Sequence, residues 1–180
     1  MIKKLALIIG FIICLSSCGK DYVYRIEGEL SNLEDQTVYA VFEKDNYKVV
    51  DTVACTKSGQ FQIDQNEAGF HCVTIFFADK EHWVTAYLEP GETVKITGDA
   101  NSPLLLQVKG GRTNDKLTAF KKKIAPLLTE LTNLSKSLNS KDLNDTIEET
   151  DIAARLANVN MQLSEEAIRY VKENPNEEAS

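Results

Sequence analysis

The sequence predicts an α+β chain: an antiparallel β-sandwich of about eight strands followed by a C-terminal antiparallel helical hairpin. Three observations predict it. All nine glycines lie at or before Gly111. Of the one Trp, six Tyr and seven Phe, only Phe120 and Tyr170 come later. Apolar residues recur with period two upstream of that point and at intervals of three and four downstream of it.

The upstream alternation predicts strands over 22–30, 37–43, 48–55, 60–64, 70–78, 83–88, 93–97 and 104–109, the spacing of an antiparallel sandwich. Phe61 and Ile63 alternate with Gln60 and Gln62, as one buried and one wet face require. Ser58-Gly59 and Pro90-Gly91 each read as the turn of a hairpin, because glycine accepts positive φ and proline presets φ.

Downstream, Leu117, Phe120, Ile124, Leu127, Leu131, Leu134 and Leu138 form an a/d stripe. The stripe keeps its phase across Pro126, so one helix bent at the proline is expected. From Asn114 to Leu138 it would run about 37 Å, against roughly 26 Å for an eight-residue strand, so its far end should overhang the sandwich and need another partner. Asn139 to Asp145 supplies turn residues, and Thr146 with Glu149 fits a capping box. A second helix follows with Ile152, Leu156, Val159, Leu163 and Ala167 on one face, and it stops before Pro175. Two facing stripes joined by a short loop make the hairpin.

The 180 residues suit one domain plus an appendage. At the front, Lys3 and Lys4 precede the uncharged apolar run Leu5 to Leu15, and Ser16 and Ser17 stand before Cys18. This is the pattern of a secretory leader. As a helix the run spans about 16 Å, too short for a bilayer core of roughly 30 Å. Leu15-Ser16-Ser17-Cys18 resembles the lipobox of bacterial lipoproteins, which implies that the Cys18 thiol is diacylglycerated and then becomes the acylated N-terminus. The expected organisation is a signal peptide over 1–17, a lipidated tether over 18–21, a sandwich domain over 22–110 and the helical hairpin over 111–180. Gly19 to Asp21 reaches only about 10 Å, which keeps the sandwich close to the bilayer.

Loss of residues 1–17 removes Lys3 and Lys4 and no acid, leaving 18 basic against 27 acidic residues and moving the net charge from −7 to −9. Nucleic acid and other polyphosphates are disfavoured as partners, since they need clustered Lys and Arg. The one basic run, Lys121-Lys122-Lys123, reads as a solvated helix face.

With Cys14 lost in the leader and Cys18 acylated, Cys55 and Cys72 remain as thiols. They form no C-x-x-C and no zinc spacing. Placed on successive strands of a meander they face each other across a middle strand at about 9.5 Å, beyond the roughly 7 Å Cα limit of a disulfide, so buried free thiols are expected. His71, Cys72, Asp79 and His82 match no recognised metal site, and no metal is expected. Two histidines and no Gly-x-Ser-x-Gly elbow leave no catalytic residues to assemble, and no glycine-rich loop precedes a helix to hold a cofactor phosphate. Glu148-Glu149 and Glu165-Glu166 read as solvating pairs. Phe76, Phe77 and Trp83 could line a groove, but core is the expected role of strand aromatics.

A set of short motifs carries a family resemblance: Ile26-Glu27-Gly28-Glu29-Leu30, Val50-Asp51-Thr52-Val53 leading to Gly59-Gln60-Phe61, Leu88-Glu89-Pro90-Gly91-Glu92-Thr93-Val94, and Val108-Lys109-Gly110. Together they resemble the N-terminal β-domain of unassigned function that precedes a thioredoxin-like domain in envelope thiol-disulfide oxidoreductases of diderm bacteria. Val171-Lys172-Glu173-Asn174-Pro175 is similar to the helix end that leads into the redox domain there. This sequence ends at Ser180, so the family's catalytic C-x-x-C has no counterpart in it and redox activity is not implied. The expected function is a non-enzymatic interaction or scaffold module, held in the cell envelope by acyl chains on Cys18, with the outer membrane as the expected location. A protein partner or homodimer mate is expected at the helical hairpin. The alternative is the accessory front part of an oxidoreductase whose catalytic domain lies beyond residue 180. A small-ligand binder would need a pocket between sandwich and helices.

Overall fold

A computed structural model describes residues 22–45, 47–139 and 146–175. Cys18 and the tether lie outside the described residues, as does most of the loop from Asn139 to Asp145 and the Thr146 side chain of the capping box.

Eight strands and three helices occur among the described residues: β1 Tyr24–Ser31, β2 Thr37–Lys44, β3 Tyr47–Ala54, β4 Gln60–Gln65, β5 Cys72–Phe76, β6 Trp83–Tyr87, β7 Thr93–Asp99, β8 Gln107–Lys109, α1 Arg112–Lys123, α2 Ala125–Asn139 and α3 Thr146–Glu173. The α+β class, the strand count and the following helices agree with the sequence reading. The expected strand over 104–109 is shorter, because Pro103 opens a 3₁₀ turn, Pro103–Leu105, ahead of β8.

The strands form two four-stranded sheets, ordered β4-β1-β7-β8 and β3-β2-β5-β6. Seven-residue parallel pairing of β1 with β7, Arg25 opposite Thr93 through Ser31 opposite Asp99, interrupts the otherwise antiparallel ladders. Parallel neighbours need a long crossover, and here the whole β2-to-β6 excursion supplies it. The two turn signals also act differently from expectation. Ser58-Gly59 joins β3 to β4, and Pro90-Gly91 joins β6 to β7; in each case the two strands belong to different sheets. Both are corners of the sandwich, not hairpins.

Alternation places Tyr24, Ile26 and Leu30 of β1 with Ile63 and Ile96 on the inner face of one sheet, against Val38, Phe42, Val73 and Ile75 of the other, in a single continuous core. Gly28 belongs to that inner face. An added Cβ would stand 2.0 Å from Cε1 of Phe61, whose ring lies over it. Gly59 has a different reason: its φ is 70°, and a Cβ would meet the Leu30 carbonyl oxygen at 1.9 Å.

The helical stripe divides at Ile124, whose φ of −96° and ψ of 9° leave the helix, so α1 and α2 are two helices where one bent helix was expected. Pro126 cannot donate to the Lys122 carbonyl, and the Ile124 N–H takes up that oxygen together with the one of Phe120. Beyond the break, Leu127, Leu131, Leu134 and Leu138 pack on Ile152, Leu156, Val159 and Leu163 of α3 in a second, separate apolar cluster. The overhanging far end therefore finds its partner within the chain. Phe120 of α1 meets Tyr170 near the end of α3, ring centroids 4.5 Å apart. Glu166 bonds Arg169 and stands 3.7 Å from Lys123, so this acid ties α3 to α1 in addition to meeting solvent. Among the described residues no helix is long and apolar enough to cross a membrane.

Candidate functional site: a groove where α1 leaves the sheet edge

A sandwich of two open sheets exposes strand edges whose N–H and C=O groups need partners. Here α1 supplies them for one side. Its start follows Gly110 and Gly111: the Glu89 carboxylate caps the helix from outside, accepting the Arg112 N–H at 2.9 Å, and Asp115 in its first turn reaches back to accept the Gly110 N–H at 3.2 Å. That anchoring lays α1 across the edges of both sheets. Asn114 addresses β6: its Oδ1 accepts the Tyr87 N–H at 2.9 Å, and its Nδ2 donates to the Tyr87 carbonyl at 2.7 Å and to the Gly110 carbonyl at 2.6 Å. One turn later Thr118 addresses β8. Its hydroxyl accepts the Val108 N–H at 3.1 Å and donates to the Val108 carbonyl at 2.5 Å. Each side chain stands in for a neighbouring strand. Asn114 is 2 % exposed and Thr118 5 %, which polar groups tolerate when every bond is made.

Among the described residues the β6 edge is closed at Tyr87 only. Leu88 donates to the His71 carbonyl and Phe77 to the His82 carbonyl, so in the β5–β6 register the residues at 84 and 86 turn their backbone groups to β5. Trp83, Thr85 and Tyr87 turn theirs outward. No backbone partner for Thr85 occurs among the described residues. In front of it lies a groove of about 410 Å³ between β6, the 3₁₀ turn, α1 and the start of α2. Its walls are largely apolar: Trp83, Leu104, Leu117, Phe120 and Leu128, with Asn114 closing the Tyr87 end.

Two residues of the groove depart from expectation. Trp83 is 54 % exposed and joins the groove wall, whereas Phe77 is core as expected; Phe76 lies half-buried on the outer sheet face against Trp83. Lys121 also lines the groove, half-buried, while Lys122 and Lys123 are exposed. Burial among these apolar walls pushes the Lys121 ammonium below the ordinary lysine value, and no carboxylate pairs with it among the described residues. Only part of the basic run is a solvated face.

The other residues singled out from sequence do not meet here. His71 bonds Asp45 at 3.1 Å and His82 bonds Asp79; the two pairs sit at opposite ends of the β5–β6 hairpin. No three His, Cys, Asp or Glu side chains come together to hold a metal ion among the described residues. Cys55 and Cys72 are free thiols, separated for a different reason than a meander register. They flank β2 on either side and at opposite ends, Cys55 bonded to Gln36 and Cys72 opposite Glu43. Seven residues along β2 place them about 23 Å apart in that direction alone. Burial pushes both thiols up, Glu43 adding to the effect at Cys72. Ellman's reagent is expected to leave the buried Cys55 untouched in the native protein, to label half-buried Cys72 slowly, and to count both after denaturation. A denatured protein with neither thiol would contradict the placement.

Asn114 and Thr118 escaped the sequence reading, although a hint exists: they are polar residues at i and i+4, on the face where the apolar stripe begins with Leu117.

No curated protein and no solved structure matches the chain. A family match does exist, to a domain of unknown function, DUF4369, over residues 24–117. It takes in all eight strands and ends inside α1, three residues after Asn114, as expected of a sandwich whose edge is completed by that helix. The match covers more than half of the sequence, and the chain belongs to this family of domains without an assigned function.

Proposed function

We propose that the protein is a lipid-anchored envelope component whose sandwich and helices form a non-enzymatic interaction module. The groove beside β6 carries this reading. It combines apolar walls with a backbone edge that has polar groups to offer, the composition of a binding surface. Mooring comes from the Cys18 lipobox, since two or three acyl chains bind a bilayer far more durably than one. The outer membrane is the proposed location. Loss of the Cys18 thiol by Cys18→Ser is expected to abolish incorporation of labelled fatty acid and to release the protein or block its processing. Undiminished labelling of the variant would remove the anchor.

The helical hairpin adds a second surface for a protein partner or a homodimer mate. Met161 and Ile168 lie exposed on α3 one heptad apart, with exposed Val171 beyond them. A photo-crosslinking residue placed at Met161 or at Leu104 reports on the two surfaces separately in intact cells. Adducts at either position support an interaction module, and silence at both overturns it. The association with thioredoxin-like domains belongs to this proposal too, because all four sandwich motifs that suggested it lie inside the family match. A reading frame continuing past Ser180 into a C-x-x-C would make the module the accessory part of an oxidoreductase, and a stop codon there removes that reading.

A further inference from the structure

Given the interaction-module reading above, on which this inference rests, the geometry points to an extended peptide ending in a carboxylate as the occupant of the groove, paired as an added strand on β6. Three independent features select that chemistry. First, the β6 edge is a template. Trp83 and Thr85 direct N–H and C=O groups away from β5, while two residues further on the same groups of Tyr87 are already satisfied by Asn114. The Asn114 side chain thus shows what this edge accepts, a group presenting one donor and one acceptor side by side, and a strand backbone repeats that pattern at every second residue. An acyl chain would fill the apolar volume but leave those backbone groups unanswered.

Second, the walls suit alternate side chains. A strand laid beside β6 points every second residue toward the apolar residues of the 3₁₀ turn and the helices, Leu104, Leu117 and Leu128 among them. The volume of about 410 Å³ suits a short segment and not a domain. Third, Lys121 brings a cation to this groove in a chain of net charge −7. Its ammonium lacks a carboxylate partner among the described residues and sits among apolar side chains, where an incoming carboxylate gains more than it would in water. Apolar side chains, a free strand edge and one unpaired cation together describe the end of an extended peptide.

Trp83 is the single tryptophan and part of the wall, so the protein carries its own reporter. The test uses the full mature chain in detergent and four probes: an acetylated pentapeptide of alternating valine and threonine with a free carboxylate, its C-terminal amide, its version N-methylated at the central residue, and dodecanoate. The free acid is expected to shift Trp83 emission to the blue saturably. N-methylation is expected to weaken binding at least tenfold, since it removes a strand donor, and amidation several-fold. Lys121→Met, which replaces a half-buried cation with an apolar side chain of similar length, is expected to bind acid and amide equally. Equal binding of the methylated and parent peptides, binding of dodecanoate in preference to peptide, or no saturable binding up to millimolar concentration overturns the inference. Crosslinks at Met161 with none at Leu104 would leave the module reading standing while this site falls.

Discussion

Asn114→Leu is expected to destabilise the native state by about 3 kcal/mol, read as a lower midpoint of urea unfolding with the slope unchanged. Leucine keeps the branched shape of asparagine but is larger, so the substitution removes the polar bonds and adds some crowding in a packed site. What it strands are the Tyr87 N–H and C=O and the Gly110 carbonyl, which Asn114 satisfies at 2.6–2.9 Å in a site that excludes water from the asparagine itself. Each buried group left without a partner costs about 1–3 kcal/mol, and burial of the new apolar side chain offsets part of that. A total stability of roughly 5–15 kcal/mol makes such a loss easy to detect. Thr118→Val tests the second staple in the same way at Val108, where one hydroxyl serves both backbone groups, and about 2 kcal/mol is expected. If the leucine variant unfolded at the parental midpoint, α1 would not be held to the β6 edge as described.

Gly28→Ala is expected to cost about 2–3 kcal/mol, although alanine is ordinarily the better residue in a strand. The cause is the Phe61 ring. A methyl at residue 28 would stand 2.0 Å from one ring carbon and 2.2 Å from the next, and Phe61, 5 % exposed, has no solvent side into which it can retreat. Either the ring leaves its rotamer or β1 and β4 move apart at the pair Gly28 opposite Phe61. A double-mutant cycle separates this from a general intolerance of change. With Phe61→Leu present, the shorter side chain makes room, and the added cost of Gly28→Ala is expected to fall by at least about 1 kcal/mol. Strict additivity of the two free energies would exclude the steric account.

Much of the fold can be read along the chain because it depends on near neighbours. The two-residue alternation of Phe61 and Ile63 with glutamines marks one face as buried wherever the strand ends up. The stripe from Leu127 to Leu138 marks a helix face in the same manner. Turn chemistry is equally local, and this is where reading it stops: Pro90-Gly91 announces that the chain reverses, but an adjacent strand and a corner to the opposite sheet begin with the same dihedrals. Ser58-Gly59 misleads for the same reason. The groove was less legible still. Trp83 has the composition of a core residue and becomes part of a wall only because β6 falls at the edge of its sheet. Lys121 looks like one of three equivalent lysines until the 100° step per residue of α1 turns it, alone of the three, into the groove.

The family motifs gain a physical meaning from the packing. Gly28 leaves room for Phe61, Glu89 caps α1, Gly59 passes close to Leu30, and Gly110 lies against the Thr93 carbonyl, where a Cβ would come within 2.1 Å. These residues hold the sandwich and its sealing helix together; the binding chemistry proposed for the protein lies beside them, on Thr85, Lys121 and the groove walls.

The amino-acid order alone determined the number of strands, the buried face that Phe61 and Ile63 mark on β4, and the place where sheet gives way to helix. Tertiary structure alone decided which sheet each strand joins, the parallel seam between β1 and β7, and the meeting of Asn114 with Tyr87 across 27 residues of chain. The division follows the range of the forces involved. Side-chain periodicity and backbone dihedrals act over a few residues, whereas the choice of strand partner depends on edges brought together from distant parts of the chain.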